Sequence, residues 1–100
     1  MEKIHQGDIL KIDKIKNLVF VASKDFFNQS GEIVACPIFE ENTNSPLHIF
    51  VSTEDYCGYV QCEKLALLDL KIRGYKKVSR ISLKDVMDVV DAIQGIFDYI

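Results

Sequence analysis

Alternating apolar and polar positions open the chain. Between Asp8 and Asp13, Leu10 and Ile12 alternate with Ile9, Lys11 and Asp13, which predicts a half-buried strand. A short connection at residues 14–17 follows, and the continuously apolar run over residues 18–22 is typical of a strand buried on both faces. The pattern therefore predicts two strands joined by about four residues.

The middle of the chain alternates strands with turns. Residues 24–29 predict one helical turn with Phe26 and Phe27 directed inward, and Ser30-Gly31 is a turn signal. Proline has no N–H to donate to a ladder, so Pro37 is expected at a bulge or an edge. Further strands are expected at residues 32–39, 47–52, 59–68 and 75–80, separated by a loop at 40–46, a turn at 55–58 and a helical turn at 69–74.

The C-terminal segment predicts a helix from about Ser82 to Phe97. Ser82 suits the N-cap and Asp85 the third helical position, where a carboxylate also interacts favourably with the helix dipole. Apolar residues then recur every three or four positions, which predicts one buried stripe formed by Leu83, Val86, Val90, Ile93, Phe97 and Ile100. The expected fold is mainly β: a small antiparallel barrel or half-barrel with a C-terminal helix.

Composition agrees with one soluble globular domain over residues 1–100. The chain is 48% hydrophobic and 27% charged, and its length suffices for one core. No apolar run approaches the roughly 20 residues needed to cross a bilayer, and the N-terminal residues lack the apolar segment of a secretory signal. We therefore expect a cytoplasmic protein with no membrane contact.

The cysteines do not suit a disulfide framework, because Cys36, Cys57 and Cys62 are odd in number. Cys57 and Cys62 have the spacing C-x4-C, but only His5 and His48 are left to complete a zinc site. Free thiols, buried or half-buried, are the favoured interpretation. We expect no metal and no cofactor.

Charge is unevenly distributed, although the formal net charge is only -3. The segment from Glu63 to Arg80 is basic, whereas the segment from Glu32 to Cys62 has five acids and no lysine or arginine. A basic face suits a phosphate chain, and ordinary solvated charge is the alternative. The candidate nucleic-acid contacts are Lys14, Lys24, Lys64, Arg73, Lys76, Lys77 and Arg80.

No local motif specifies catalytic chemistry. The glycines are scattered, which excludes a glycine-rich phosphate loop, and there is no Ser-His-Asp or Cys-His signature. Metal-free RNA cleavage needs an acid/base group and a cation or donor at the phosphate. Glu63 or a histidine is a candidate for the first role, and Lys16, Lys64 or Arg73 for the second.

Three segments taken together resemble one family. Gly7-Asp8-Ile9 opens the first strand, the second strand leads into a polar segment ending in Asn28, and the third contains Val34-Ala35-Cys36-Pro37-Ile38. This order resembles the PemK/MazF toxins of type II toxin–antitoxin systems. The resemblance implies a compact β-barrel-like core shared with gyrase poisons, a homodimer, an antitoxin partner and cleavage of single-stranded RNA.

The resemblance also implies site residues. Glu63 stands where the family has an acid, while Lys64 replaces an amide and Ala66 an arginine. The family's catalytic arginine and threonine correspond to Asn17 and Phe39, and their side chains cannot provide a permanent charge or a hydroxyl donor.

Two hypotheses follow from these replacements. In the first, the chain is an RNA-binding toxin and a metal-independent endoribonuclease, with Glu63 as acid/base and Lys16 as the cation at the phosphate. In the second, it is a non-catalytic module that binds protein or nucleic acid, or an inert regulator, and Glu63 merely pairs with Lys64 or Arg80 on the surface.

Overall fold

The computed structural model describes residues 3–41 and 44–98. Its strands form one antiparallel sheet in the order β4-β5-β3-β2-β1-β7, with β6 paired to the first half of β3. The strands are β1 (Asp8–Ile12), β2 (Val19–Val21), β3 (Glu32–Phe39), β4 (His48–Ser52), β5 (Cys57–Gln61), β6 (Ala66–Asp69) and β7 (Tyr75–Arg80), and the helices are α1 (Asp25–Asn28) and α2 (Leu83–Phe97). The prediction of a mainly β half-barrel with a C-terminal helix is confirmed.

The curved sheet carries a hydrophobic core on each face. Because side chains alternate along a strand, neighbouring residues Ile9 and Leu10 belong to different cores, and each is at most 1% exposed. One core, which includes Leu10, Val21 and Ile33, is closed by the curl of the sheet onto β6. The other core lies between the sheet and α2.

Helix α2 begins as the sequence predicts, and its buried face agrees in part with the predicted stripe. The Ser82 side chain accepts a hydrogen bond from the Asp85 N–H at 3.3 Å. Val86 and Val89 are buried, whereas Leu83 and Phe97 are 74% and 69% exposed. Val86, Val90 and Ile93 of the predicted stripe pack on the core as expected, whereas Leu83 and Phe97 turn towards solvent. Ile100 lies outside the described residues.

Gly7 is the point at which the sheet and α2 come closest. Its φ of +95° lies in the region that L side chains avoid. A Cβ at Gly7 would also lie only 2.7 Å from Cγ2 of Val86. The glycine before β1 is therefore required both for the turn into the strand and for docking of the helix.

The predicted strand over residues 59–68 is wrong, because it is two strands. Strand β3 pairs with β6 as far as Ala35 and with β5 from Ile38 onwards, so the chain must leave the sheet between Gln61 and Ala66. Pro37 lies at this change of partner. The Ile38 N–H donates to the carbonyl of Leu18, the residue before β2. Because neighbouring backbone nitrogens point to opposite sides of a strand, the Pro37 nitrogen faces the gap between β5 and β6, where no donor is needed.

Two smaller expectations are also wrong. Asp69 ends β6 and residues 70–72 form a turn, so the segment 69–74 contains no helical turn. Phe26 and Phe27 are 75% and 36% exposed instead of pointing inward. The inward position of α1 belongs to Asn28, whose amide donates to the carbonyls of Ile4 and Ser23 at 3.1 and 3.0 Å and ties the N-terminal segment to the helix.

Candidate functional site

A groove of about 610 Å³ opens on the helix-covered face of the sheet. Its walls come from three segments: residues 16–18 in the β1–β2 connection, residues 38–41 at the end of β3, and residues 56–58 at the start of β5. Asn17 joins the first two walls, because its side-chain amide donates to the Ile38 carbonyl at 3.1 Å. This amide is therefore structural and holds the edge of the groove.

Gly58 lets the second and third walls approach each other. A Cβ at this position would lie 2.7 Å from Cγ2 of Ile38 and 2.9 Å from the Phe39 carbonyl oxygen. The backbone oxygen cannot move away without disturbing the β3–β5 ladder, in which Phe39 pairs with Tyr59. A side chain at position 58 would therefore distort the groove.

The groove has an apolar floor and a charged rim. Ile9 and Val51, which line it, are 1% and 2% exposed. The charged lining residues are Lys16 on one wall and Glu40 and Glu41 on another, all three exposed. Carboxylates therefore outnumber cations in the lining that the structure describes.

The two predicted catalytic residues occupy different places. Lys16 lines the groove. Glu63 lies in the turn after β5, two residues beyond the groove-lining Gln61, rather than on the fifth strand as predicted. Its Oε2 lies 2.9 Å from Nε2 of His48, so the predicted pairing with Lys64 or Arg80 is wrong. The hydrogen bond to His48 holds the pKa of Glu63 below its ordinary value.

Lys64 reaches the rim of the groove through an aromatic contact. Its Nζ lies 4.9 Å from the centre of the Phe39 ring, a cation–π distance. Phe39 itself lines the groove and is half-buried. Position 39, which the sequence resemblance matches to the family's threonine, therefore presents a ring face to a cation.

Part of the predicted basic surface gathers at one end of the sheet. The β1–β2 and β6–β7 connections meet there, because the Asp13 N–H donates to the Gly74 carbonyl at 2.9 Å. Lys11 on β1 pairs in register with Lys76 on β7, so two cations face each other across the ladder. We call this region the basic end; it consists of Lys11, Lys14, Arg73 and Lys76.

The remaining predicted cations lie elsewhere. Lys77 and Arg80 contact the buried carboxylate of Asp8, at 3.3 and 3.0 Å. Lys24 precedes α1, which follows the opposite end of β2. The structure thus brings Lys14, Arg73 and Lys76 together, whereas Lys77 and Arg80 turn to Asp8 and Lys24 lies far from them.

Sequence reasoning missed two participants, His48 as partner of Glu63 and Lys11 in the basic end. His48 and Gln61 are register partners on β4 and β5, so the histidine stands next to the turn that carries Glu63. No spacing in the sequence connects these distant positions. Lys11 was detectable, because it is the outward residue of the first alternating strand.

The three cysteines have different surroundings. Cys57 is exposed and lines the groove, whereas Cys36 and Cys62 are buried. Burial raises the pKa of Cys36 to about 12 and that of Cys62 to about 11, so both stay protonated and unreactive. Among the described residues, no three histidine, cysteine, aspartate or glutamate side chains are close enough to hold a metal ion.

Comparisons with known proteins agree with this architecture. The model of the family described as PemK-like, MazF-like toxin of type II toxin-antitoxin system matches residues 6–97. No curated protein sequence gives a significant match. Neither helix in the described part of the chain is long and apolar enough to span a membrane.

Solved structures of similar fold cover almost the whole chain. MazF in a MazE–MazF complex from Deinococcus radiodurans superposes with a TM-score of 0.88 at 15% identity, over 97% of this chain and 98% of that one. A mycobacterial endoribonuclease gives 0.84 at 14% identity, over 97% and 93%. An endoribonuclease in complex with its cognate antitoxin, also mycobacterial, gives 0.82 at 13% identity, over 94% of each chain.

Proposed function

The chain belongs to the PemK-like, MazF-like toxins of type II toxin–antitoxin systems, and from this we propose that it binds single-stranded RNA and cleaves it without a metal ion. One observation carries the proposal. The β1–β2 connection links the basic end to the groove, because it bears Lys14 at the former and Lys16 at the latter. An RNA chain laid along this connection meets cations on its way to Lys16.

The predicted cations divide into principal and weaker phosphate contacts. Lys14, Lys16, Arg73 and Lys76 are the principal ones, because none of them has a carboxylate partner among the described residues. The weaker ones have other surroundings: Lys64 lies on Phe39, Lys77 and Arg80 contact Asp8, and Lys24 lies at the far end.

Glu63 and Lys16 carry the proposed chemistry. The carboxylate of Glu63 accepts the proton of the 2′-hydroxyl, whose oxygen attacks the adjacent phosphorus and displaces the 5′-oxygen, which takes a proton from water. The ammonium of Lys16 stabilises the charge on the phosphate. The lowered pKa of Glu63 keeps it ionised at neutral pH but also makes it a weak base. A lysine is a point charge rather than a bidentate clamp. Cleavage is therefore expected to be slow.

The test is the mapping of RNA ends after incubation with the purified chain in the presence of a chelator. Cleavage of single-stranded RNA should disappear in Glu63→Gln and fall strongly in Lys16→Ala. Glu54→Gln, which neutralises an exposed acid in the β4–β5 turn, is the matched control and should cleave normally. Undiminished cleavage by Glu63→Gln, or none by the native chain, would contradict the proposal.

A homodimer is part of the proposal. Leu83, Met87 and Phe97 are 74%, 56% and 69% exposed on one side of α2. Such a cluster on a small soluble domain is typical of an interface. The same face on two copies would form a symmetric contact. Sedimentation should show a dimer, which Met87→Glu would dissociate.

An antitoxin partner and a cytoplasmic site of action complete the proposal. The similar chains from Deinococcus radiodurans and from the mycobacterial species are solved with MazE and with a cognate antitoxin. A toxin that acts on RNA needs such a partner in the same compartment. Co-expression with the adjacent reading frame should yield a stable complex if that frame encodes the antitoxin.

A further inference from the structure

A second surface of the sheet is the face of β4 and β5 that points away from α2. Side chains alternate along a strand, and Ile49, Val51 and Val60 belong to the core beneath α2. Phe50 and Tyr59, which pair in register, therefore stand on the other face. Phe50 is 51% exposed and Tyr59 is half-buried, so both rings are accessible to a ligand.

Three aromatic side chains form a row across this face. Tyr59 pairs in register with Phe50 on one side and with Phe39, the last residue of β3, on the other. The ring centres of Phe50 and Tyr59 lie 5.3 Å apart, with their planes tilted by 60°. Because neighbouring strands are about 4.8 Å apart, the row extends about 10 Å across three strands. We call these three residues the aromatic row.

A cation stands at one end of the aromatic row. The ammonium of Lys64 lies 4.9 Å from the centre of the Phe39 ring, and the Lys64 side chain is exposed. The residues that flank the row on the same face of β4 and β5 include no acid: they are His48 and Gln61 on one side and Ser52 and Cys57 on the other. A phosphate at Lys64 would therefore lie beside an uncharged aromatic surface.

The carboxylates near this surface lie at its borders. They are placed beyond the strand ends, with Glu40 and Glu41 after β3, Glu54 and Asp55 in the β4–β5 turn, and Glu63 after β5. The ligand over the rings must therefore be flat and uncharged, with its negative charge next to Lys64. Unpaired nucleobases meet this requirement, and in RNA-binding domains they stack on aromatic side chains of an open sheet face.

We infer that unpaired bases of single-stranded RNA stack on Phe50 and Tyr59, while Lys64 contacts a phosphate of the same chain. The inference rests on the proposed function in that the ligand is the RNA substrate. Glu63 borders the same face, because it is hydrogen-bonded to His48, which stands two residues before Phe50 on β4. The aromatic row thus holds bases next to the proposed acid/base group and adds affinity that does not depend on the phosphate charge.

Binding with and without bases tests the aromatic row. Two labelled decamers of equal charge serve as ligands, 2′-O-methyl oligoadenylate and its abasic counterpart, and neither has the 2′-hydroxyl that cleavage requires. In fluorescence anisotropy, the native chain should bind the oligoadenylate at least about fivefold more tightly. Phe50→Leu should bring the two affinities within about twofold by weakening only the oligoadenylate complex. Phe50→Tyr, which keeps a ring, should preserve the difference.

Phe26 provides the matched control for these measurements. It is 75% exposed on α1, which precedes β3, whereas the aromatic row crosses the last residue of β3. Phe26→Leu removes an exposed ring of the same kind and should leave both affinities unchanged.

A tryptophan probe tests whether a base touches the row directly. The chain contains no tryptophan, so the tryptophan emission of Phe50→Trp comes from position 50 alone. Oligoadenylate should quench this emission, because a base stacks on the new ring, and the abasic decamer should not. Phe26→Trp carries the same probe on α1, and its emission should not change with either ligand.

Several results would overturn the inference. They are equal affinity of the native chain for the two decamers, binding of neither, an undiminished preference for oligoadenylate in Phe50→Leu, and equal quenching at positions 26 and 50. If circular dichroism shows that Phe50→Leu is unfolded, the quenching of Phe50→Trp decides.

The assay needs no RNA cleavage, so its outcome is separate from that of the proposed function. Cleavage combined with equal affinity for the two decamers removes this inference alone. Base-dependent binding without cleavage removes the nuclease activity and leaves the aromatic row as a base-binding surface.

Discussion

The basic end and the opposite end of the sheet use the same residue types in different surroundings. Lys76 faces Lys11 across the β1–β7 ladder, so two like charges lie opposite each other. Its neighbour Lys77 lies 3.3 Å from the buried carboxylate of Asp8, which Arg80 also contacts. Like charges directly opposite in a sheet destabilise it, whereas the Asp8 cluster links β1 to β7.

A count of cations in the sequence therefore does not locate a binding surface. Lys76 and Lys77 are indistinguishable in the sequence, but only Lys76 retains an uncompensated charge for a ligand. A destabilising arrangement such as the one at Lys11 and Lys76 is consistent with a functional role, because a bound phosphate would relieve the repulsion.

Replacement of Asp8 should have the largest effect on the free energy of unfolding. Asp8 is 1% exposed, and it accepts hydrogen bonds from the His5 N–H at 2.8 Å and from Arg80 at 3.0 Å. Asp8→Ala would leave these donors unpaired, and we expect the free energy of unfolding to fall by about 3 kcal/mol. This is the low end for a broken buried ion pair, because the side chains of Lys77 and Arg80 are partly exposed.

Urea denaturation measures this effect. Asp13→Ala is the matched control at the basic end, where the carboxylate is exposed, and its unfolding free energy should change by no more than about 0.5 kcal/mol. Equal losses in the two variants would show that Asp8 has no special role.

The adjacent lysines should separate stability from RNA binding. Lys77→Met removes one of the partners of Asp8 and should lower the free energy of unfolding by about 1 kcal/mol, while Lys76→Met removes a repulsion and should not lower it. For a single-stranded RNA, the slope of log affinity against log salt should fall by about 0.7 in Lys76→Met and stay unchanged in Lys77→Met.

These two variants also test the division of the surface. Fluorescence anisotropy with a labelled RNA gives the salt dependence, and urea melts of the same preparations give the stability. The opposite result would contradict this division: the salt slope of RNA affinity would change only in Lys77→Met, and the free energy of unfolding would fall only in Lys76→Met.

Much of the fold could be predicted from the sequence, because it is encoded in local signals. The cap at Ser82 and the alternation before Ile12 both depend on neighbouring residues, and both predictions are confirmed. The chain leaves the sheet between Gln61 and Ala66 because β5 pairs with the second half of β3 and β6 with the first half. Such pairing joins residues far apart in the sequence, so no local signal predicts it. The stripe on α2 was predicted in part, because Val86, Val90 and Ile93 pack on the core. The fully buried Val89 was missed, since it lies beside Val90 in an equally apolar pair.

The candidate site was less predictable for the same reason. Lys16 could be found near the groove because it adjoins Asn17 in a recognisable order of strands. The partner of Glu63 could not, because His48 approaches it only after β4 pairs with β5. The sequence also contained the acids at residues 40 and 41, but nothing in it showed that they would share a groove with Lys16.

The smallest predicted effect concerns pH and the pair of Glu63 and His48, a third region in which a charge has a fixed partner. The hydrogen bond from His48 lowers the pKa of Glu63 in the folded chain relative to its ordinary value of 4.5. The pair therefore stabilises the fold above pH 4.5, and this contribution is lost as the pH falls through the lowered pKa. The Glu63 side chain is 38% exposed, so the contribution is below about 1 kcal/mol. Thermal melts between neutral and acidic pH should show a smaller acid loss in Glu63→Gln than in the native chain or in Glu54→Gln, and identical curves for all three would mean that the pair adds nothing to stability.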